Sequence, residues 1–214
     1  MTLAFPSPPQ VTVPIAGSGL GFPVNRIFCV GRNYAEHVKE MGNDLKGSPI
    51  FFMKPADAIL LDGRFPYPSA SKDVHHEIEL VVALGPDAQI FGYAVGIDMT
   101  RRDLQAEAKK GGKPWESAKA FDHSAPIGAI VAMTDELGKG EITLDVNGQR
   151  RQTADLGDMI WNVGEIIAEL KKLFALKAGD LIFTGTPSGV GAVQRGDRMH
   201  GAIEGLASLD VVVI

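Results

Sequence analysis

The densest run of reactive side chains in the 214-residue chain is His75-His76-Glu77-Ile78-Glu79. Along an extended strand successive side chains alternate, so His75, Glu77 and Glu79 share one face and Ile78, Leu80 and Val82 the other. Two neighbouring carboxylates repel unless water or a cation neutralises them, and a hard divalent cation with oxygen ligands resolves the conflict. The same pattern also describes a solvated strand face carrying ordinary acids. A third carboxylate, Asp98, stands between the apolar run FGYAVGID and the polar run TRRDLQAEAKK. An acid there can be a helix N-cap. It can equally be a third ligand, since three carboxylates from adjacent strands form an open Mg²⁺ or Mn²⁺ site with positions left for water and substrate.

A second cluster lies in GRNYAEHVKE, where His37 and Glu40 are three apart and share one face of a short helix. A carboxylate beside an imidazole raises its basicity and fixes its tautomer, and such a pair can take a proton from water. A surface helix of mixed charge fits Glu36, Lys39 and Glu40 equally well. Lys119, between small residues and Phe121, is either a solvated group or an ammonium aimed at a developing oxyanion. The loop TGTPSGVG, from Thr184 to Gly191, brings backbone N–H groups and hydroxyls near a ligand. It lacks the Lys-Ser/Thr of a phosphate loop, and Ser188 is misplaced for a nucleophile elbow. Gly17-Ser18-Gly19-Leu20-Gly21 has the wrong spacing for a dinucleotide fingerprint. Cys29 as a nucleophile with His37 as base is disfavoured by its place inside the apolar run IFCV. Trp115 and Trp161 are read as packing residues.

These residues need a scaffold, and the sequence points to a β-rich one. The 25 glycines and 13 prolines imply many turns, and the Val/Ile runs are short. Residues 1–24 are proline-rich and read as an extended arm with an edge strand. Strands are expected at Arg26–Val30, Ile50–Met53, His75–Leu84, Phe91–Asp98, Leu181–Thr184 and Leu209–Ile214. Hairpins are expected over Ala58–Pro68, turning at Asp62-Gly63, and around Asn147-Gly148 between Ile142–Val146 and Gln149–Thr153. Helices are expected over Asn33–Met41, over Thr100–Lys110 with a Thr100/Asp103 capping box, and over Asp158–Phe174. Helices this few, scattered among strands, disfavour a doubly wound parallel sheet.

Composition narrows the partners. Acids outnumber bases 26 to 21, for a formal net charge of −5, and no basic run appears, which argues against a nucleic-acid partner. No apolar run approaches the roughly 18 residues of a membrane helix. The N-terminal decapeptide lacks a basic and then apolar signal pattern. The single cysteine excludes an intrachain disulfide and a cysteine zinc cage, and the expected setting is a reducing cytoplasm.

Five segments, CVGRNYAEHVKEMG, HHEIEL, GYAVGIDMTRRDLQ, KPWESAKAFDHSAP and LIFTGTPSGVG, resemble in order the motifs of the fumarylacetoacetate hydrolase family. The likeness runs from Asn25 to the C-terminus and is greatest to its short fumarylpyruvate hydrolase and acylpyruvase members. The resemblance implies an α+β, β-rich mixed sandwich or roll with a few peripheral helices, formed by a single catalytic domain over 25–214, in a homodimer. It implies that Glu77, Glu79 and Asp98 hold Mg²⁺ or Mn²⁺, and that His37 and Glu40 belong to a mobile lid helix. It implies that Lys119 is the active-site lysine, and that Arg32, Arg102, Gln105 and Thr186 contact substrate. The implied activity is hydrolysis of the C–C bond of a 2,4-diketo acid, such as fumarylpyruvate. In that mechanism Glu40 acts through His37 on the attacking water, Lys119 faces the alkoxide, and a pyruvate enolate leaves. Decarboxylation of oxaloacetate at the same site, or non-catalytic keto-acid binding, are the alternatives. The chain departs from full-length relatives in having a proline-rich arm where they carry an N-terminal domain. Its segment Gly85–Ile90 is also shorter than the matching loop of many relatives, which bears on the pocket rim and dimer contacts.

Overall fold

The computed structural model describes residues 3–35 and 48–214. The helix expected over Asn33–Met41, with His37 and Glu40, falls outside the described residues from Glu36 onward. The chain opens with β1 (Thr12–Pro14) and β2 (Gly21–Pro23), then β3 (Ile27–Gly31) and β4 (Ile50–Lys54). Short strands β5 (Ile59–Leu60), β6 (Arg64–Phe65) and β7 (Val74–His76) lead into the long pair β8 (Ile78–Leu84) and β9 (Ile90–Ile97). Next come β10 (Thr100–Arg101), α1 (Arg102–Lys110), the one-turn α2 (Glu116–Lys119), β11 (Ala125–Pro126) and β12 (Val131–Ala132). The hairpin β13 (Glu141–Val146) and β14 (Gln149–Asp155) precedes α3 (Val163–Leu173). Strands β15 (Leu181–Phe183), β16 (Gly191–Val193), β17 (Arg198–Ile203) and β18 (Leu209–Val213) complete the order.

Two sheets carry the architecture. One is six-stranded and mixed, in the order β12-β9-β8-β15-β3-β4, and the other five-stranded, β14-β13-β17-β18-β6. Strand β8 sits inside the first sheet and is buried along its whole length. Its Ile78, Leu80, Val82 and Leu84 pack with Ile142, Leu144, Met199 and Val211 of the second sheet, with Ile166 and Leu170 of α3 closing the core. Each such side chain withdrawn from water contributes roughly 1.5–3 kcal/mol. The opposite face, with Val81 and Ala83, packs on Ile27, Cys29 and Phe183 and on Val13, Phe22 and Val24 of the N-terminal segment. A small third sheet, β10-β7-β16, lies beside the start of β8. Among the described residues no helix is long and apolar enough to cross a membrane.

Several local expectations are corrected by long-range pairing. The N-terminal arm holds two strands rather than one, paired with each other, and Val13 and Phe22 point into the core. Ala58–Pro68 turns at Asp62-Gly63 but is not a hairpin: β5 pairs with β11 and β6 with β18, both in parallel. His75–Leu84 is broken at Glu77 into β7 and β8, which belong to different sheets. Helix α1 starts two residues late because Thr100 is drawn into β10 opposite His75. The Thr100/Asp103 box is therefore absent, and Asp103 instead accepts hydrogen bonds from Ser71 and the Lys72 and Leu104 amides. Helix α3 begins at Val163, where Asn162 and Glu165 form the capping box. The Asn147-Gly148 turn forms as expected, with φ of 53° and 74° that suit its type.

Candidate metal centre

The register of β8 on β9 assembles the three acids. Ile78 pairs with Ile97 and Glu79 with Gly96, and one step further the Asp98 amide donates to the Glu77 carbonyl at 2.8 Å. Glu77 and Asp98 thus stand across the ladder, and Glu79 follows two residues along on the same face. One oxygen from each carboxylate lies within 4.8 Å of the others. Relative exposures of 5% for Glu77, 2% for Glu79 and 1% for Asp98 decide against a solvated acidic face. Asp98 is not an N-cap either, since that position of α1 belongs to Arg101.

Cations surround the cluster. The Lys119 ammonium, brought in by α2, donates to Glu77 Oε2 and Asp98 Oδ2 at 2.6 Å each and to Thr100 Oγ1 at 2.7 Å. Burial opposes its charge, but Asp98 and Glu77 outweigh that and raise its pKa. Arg102, the first residue of α1, donates to Glu77 Oε1 and, at 2.6 Å, to Gln105 Oε1. Behind the cluster, Lys54 lies 2.8 Å from Asp98 Oδ1 and donates to the Lys119 carbonyl and to Ser124 Oγ. Glu79 accepts the Gly185 amide at 2.8 Å. Burial, then Asp98 and Glu77, push the Glu79 carboxyl well above its usual range. Asp98 Oδ1 is buried and makes no hydrogen bond, though it is ion-paired to Lys54. A buried set of three carboxylates whose oxygens converge within 4.8 Å fits Mg²⁺ or Mn²⁺.

Glu77, Glu79, Asp98, Lys119, Arg32, Arg102, Gln105 and Thr186 all line one cleft, whose empty volume with its open mouth is about 430 Å³. Arg32 reaches it from a left-handed backbone at φ 64°, just after β3. Trp115 lines the cleft rather than the core. The TGTP loop is held against this wall by Asn33, whose side chain donates to the Thr184 and Trp161 carbonyls. Gly185 must be glycine there: its φ is +96°, and a Cβ would stand 2.7 Å from the Asn33 Cβ. His75 is half-buried and hydrogen-bonded to Asp73, beside Arg102 but outside the acid cluster. Burial and Arg102 lower its pKa. Cys29 is fully buried, and burial and Asp98 push its thiol up, away from nucleophilic use. The Gly85–Gln89 turn joins β8 and β9 at the end opposite the acids, so its length does not shape this cleft.

Sequence reasoning missed Lys54, Thr100, Asn33 and Gln152. Lys54 carried a faint signal as a lone cation ending the apolar run IFFM. Gln152, in the polar run QRRQTAD, carried none.

The profile of the fumarylacetoacetate (FAA) hydrolase C-terminal family matches residues 26–214. An oxaloacetate tautomerase, YcgM of Escherichia coli, is 42% identical over 88% of this chain and 93% of its own. The human mitochondrial oxaloacetate tautomerase FAHD1 is 40% identical, covering 86% of this chain and 89% of its own. The crystal structure of fumarylpyruvate hydrolase from Pseudomonas aeruginosa, in complex with Mn²⁺ and pyruvate, is 45% identical with a TM-score of 0.96, covering 100% of this chain and 99% of that one.

Proposed function

The chain belongs to the fumarylacetoacetate hydrolase family, and from that premise we propose that it is a divalent-metal-dependent hydrolase cleaving the C3–C4 bond of an acylpyruvate such as fumarylpyruvate. The observation that carries this reading is the buried Glu77–Glu79–Asp98 cluster beside Lys119, in a fold close to that of a hydrolase holding Mn²⁺ and pyruvate. Pyruvate is the product this cleavage would release.

Glu77, Glu79 and Asp98 would hold the cation, which supplies Lewis acidity toward a 2-oxo acid. The chain's own residues do the remaining work. Arg102 and Arg32 offer guanidinium groups to substrate carboxylates, and Gln105 and Thr186 offer neutral hydrogen bonds. His37 and Glu40 take a proton from the attacking water, which adds to the C4 carbonyl. Lys119, whose N–H groups go to Glu77, Asp98 and Thr100, stabilises the negative oxygen formed there through its charge. The C3–C4 electron pair passes to the pyruvate half as an enolate, and protonation at C3 yields pyruvate and a carboxylic acid. The active unit is a homodimer.

The tautomerase relatives favour a second reading, enol–keto interconversion of oxaloacetate, and decarboxylation of oxaloacetate is related chemistry. All pass through the enolate of a 2-oxo acid, but only hydrolysis needs an activated water. Loss of the diketo-enol absorbance of fumarylpyruvate, with fumarate and pyruvate identified as products, supports the hydrolase. His37→Ala abolishes that reaction under the first reading, whereas decarboxylation of oxaloacetate survives it, and identification of the products separates hydrolysis from tautomerisation. Full activity in a chelated preparation overturns the metal role, and a monomer mass by light scattering overturns the dimer.

A further inference from the structure

Strand β14 faces solvent, and its one buried side chain is a glutamine: Gln152 is 0% exposed. A buried amide is costly unless every donor and acceptor is satisfied, and here each one is. Gln152 Oε1 accepts the Ile78 amide at 3.1 Å and lies 2.9 Å from His76 Nδ1. Gln152 Nε2 donates to the Pro187 carbonyl at 2.9 Å and to Thr186 Oγ1 at 2.8 Å. The backbone fixes the amide's orientation, because the Ile78 N–H can only donate and the Pro187 carbonyl can only accept.

Both ends of the network are thereby determined. At one end His76, 1% exposed, must carry its proton on Nδ1. At the other, the Thr186 hydroxyl receives an N–H and keeps its own proton to give away. No described residue accepts that proton, and Thr186 lines the cleft that holds Glu77, Glu79 and Asp98. We propose that Gln152 is a positioning residue that aims the Thr186 O–H at a carboxylate or carbonyl oxygen of the bound 2-oxo acid. The donor is set before binding, so the ligand does not have to order it. An acceptor oxygen is favoured at that point of the cleft. This rests on reading Thr186 as a substrate contact.

A double-mutant cycle tests the proposal, with pyruvate as the probe in saturating Mg²⁺. Thr186→Val removes the hydroxyl, and Gln152→Met keeps the side-chain length but removes the amide. Each alone weakens pyruvate binding about tenfold, the loss of one hydrogen bond to a charged group. The double variant is no weaker than Thr186→Val alone, because Gln152 acts only through Thr186. Effects that multiply to about a hundredfold overturn the proposal, as does a Gln152→Met protein that binds normally. A second measurement needs no folded variant. In the wild-type protein the imidazole ¹⁵N spectrum shows His76 protonated at Nδ1 and bare at Nε2, and the opposite tautomer overturns the amide orientation. A wild-type protein that binds no pyruvate sinks the proposed function instead, and the His76 spectrum still decides whether Gln152 is oriented as described.

Discussion

The two faces of β8 are equally buried and do opposite things. Ile78, Leu80, Val82 and Leu84 belong to the apolar core shared with the second sheet. The other face begins with Glu79, continues with Val81 and Ala83, and has the charged cleft at its open end. Close packing governs both faces. Across from Glu79, a Cβ on Gly96 would stand 2.5 Å from Val81 Cγ2 and 2.7 Å from the Phe183 ring. One face lowers the free energy of the folded chain by apolar burial, while the other holds buried acids, two of which, Glu77 and Asp98, are balanced by Lys119, Arg102 and Lys54. Stability and chemistry are therefore separable along a single strand.

Substitutions on the two faces should separate them in practice. The largest expected effect is on the acid face: Asp98→Asn or Glu79→Gln weakens Mn²⁺ binding by more than about 100-fold in calorimetric titration. The thermal midpoint of Glu79→Gln stays level or rises, because no described cation is ion-paired to Glu79, whereas Asp98→Asn lowers it by leaving Lys54 and Lys119 short of their buried partner; a large loss of stability in Glu79→Gln would show that this acid is structural. Lys54→Met comes next. It strips Asp98 of a buried counter-charge and lowers the unfolding free energy by about 3–5 kcal/mol in denaturant titration. An unchanged midpoint would mean that Lys119 alone suffices for Asp98. Leu80→Ala on the apolar face costs about 2–5 kcal/mol and leaves Mn²⁺ affinity intact. If metal binding fell in parallel, the two faces would not be independent. The smallest effect is none at all: Cys29 in the native protein resists iodoacetamide at mildly alkaline pH, because burial keeps the thiol protonated, and reacts only on unfolding.

The acid cluster was legible because its signals are local and periodic. Glu77-x-Glu79 in a β-branched run needs only strand alternation, and Asp98 needs only the end of the next apolar run. Long-range pairing was what local rules could not supply. The Asp62-Gly63 turn chemistry is correct, yet β5 and β6 separate to different sheets. Thr100 and Asp103 have the spacing of a capping box, but pairing with β7 claims the first and Ser71 with Lys72 the second. Gln152 was invisible because the partners that make it matter, His76 and Thr186, are 76 and 34 residues away.

The turn Gly85–Gln89 lies a full strand from the acids, on the order of 20 Å for the seven residues of β8. Its own bonds, from the Gly85 amide to the Gln89 carbonyl and from the Gln89 amide to the Pro86 carbonyl, are self-contained. Homologues can therefore lengthen or shorten this tip without altering the spacing of the three acids, which the ladder itself dictates. For the same reason it is a suitable place to graft a fluorophore tag or an affinity handle onto a working enzyme.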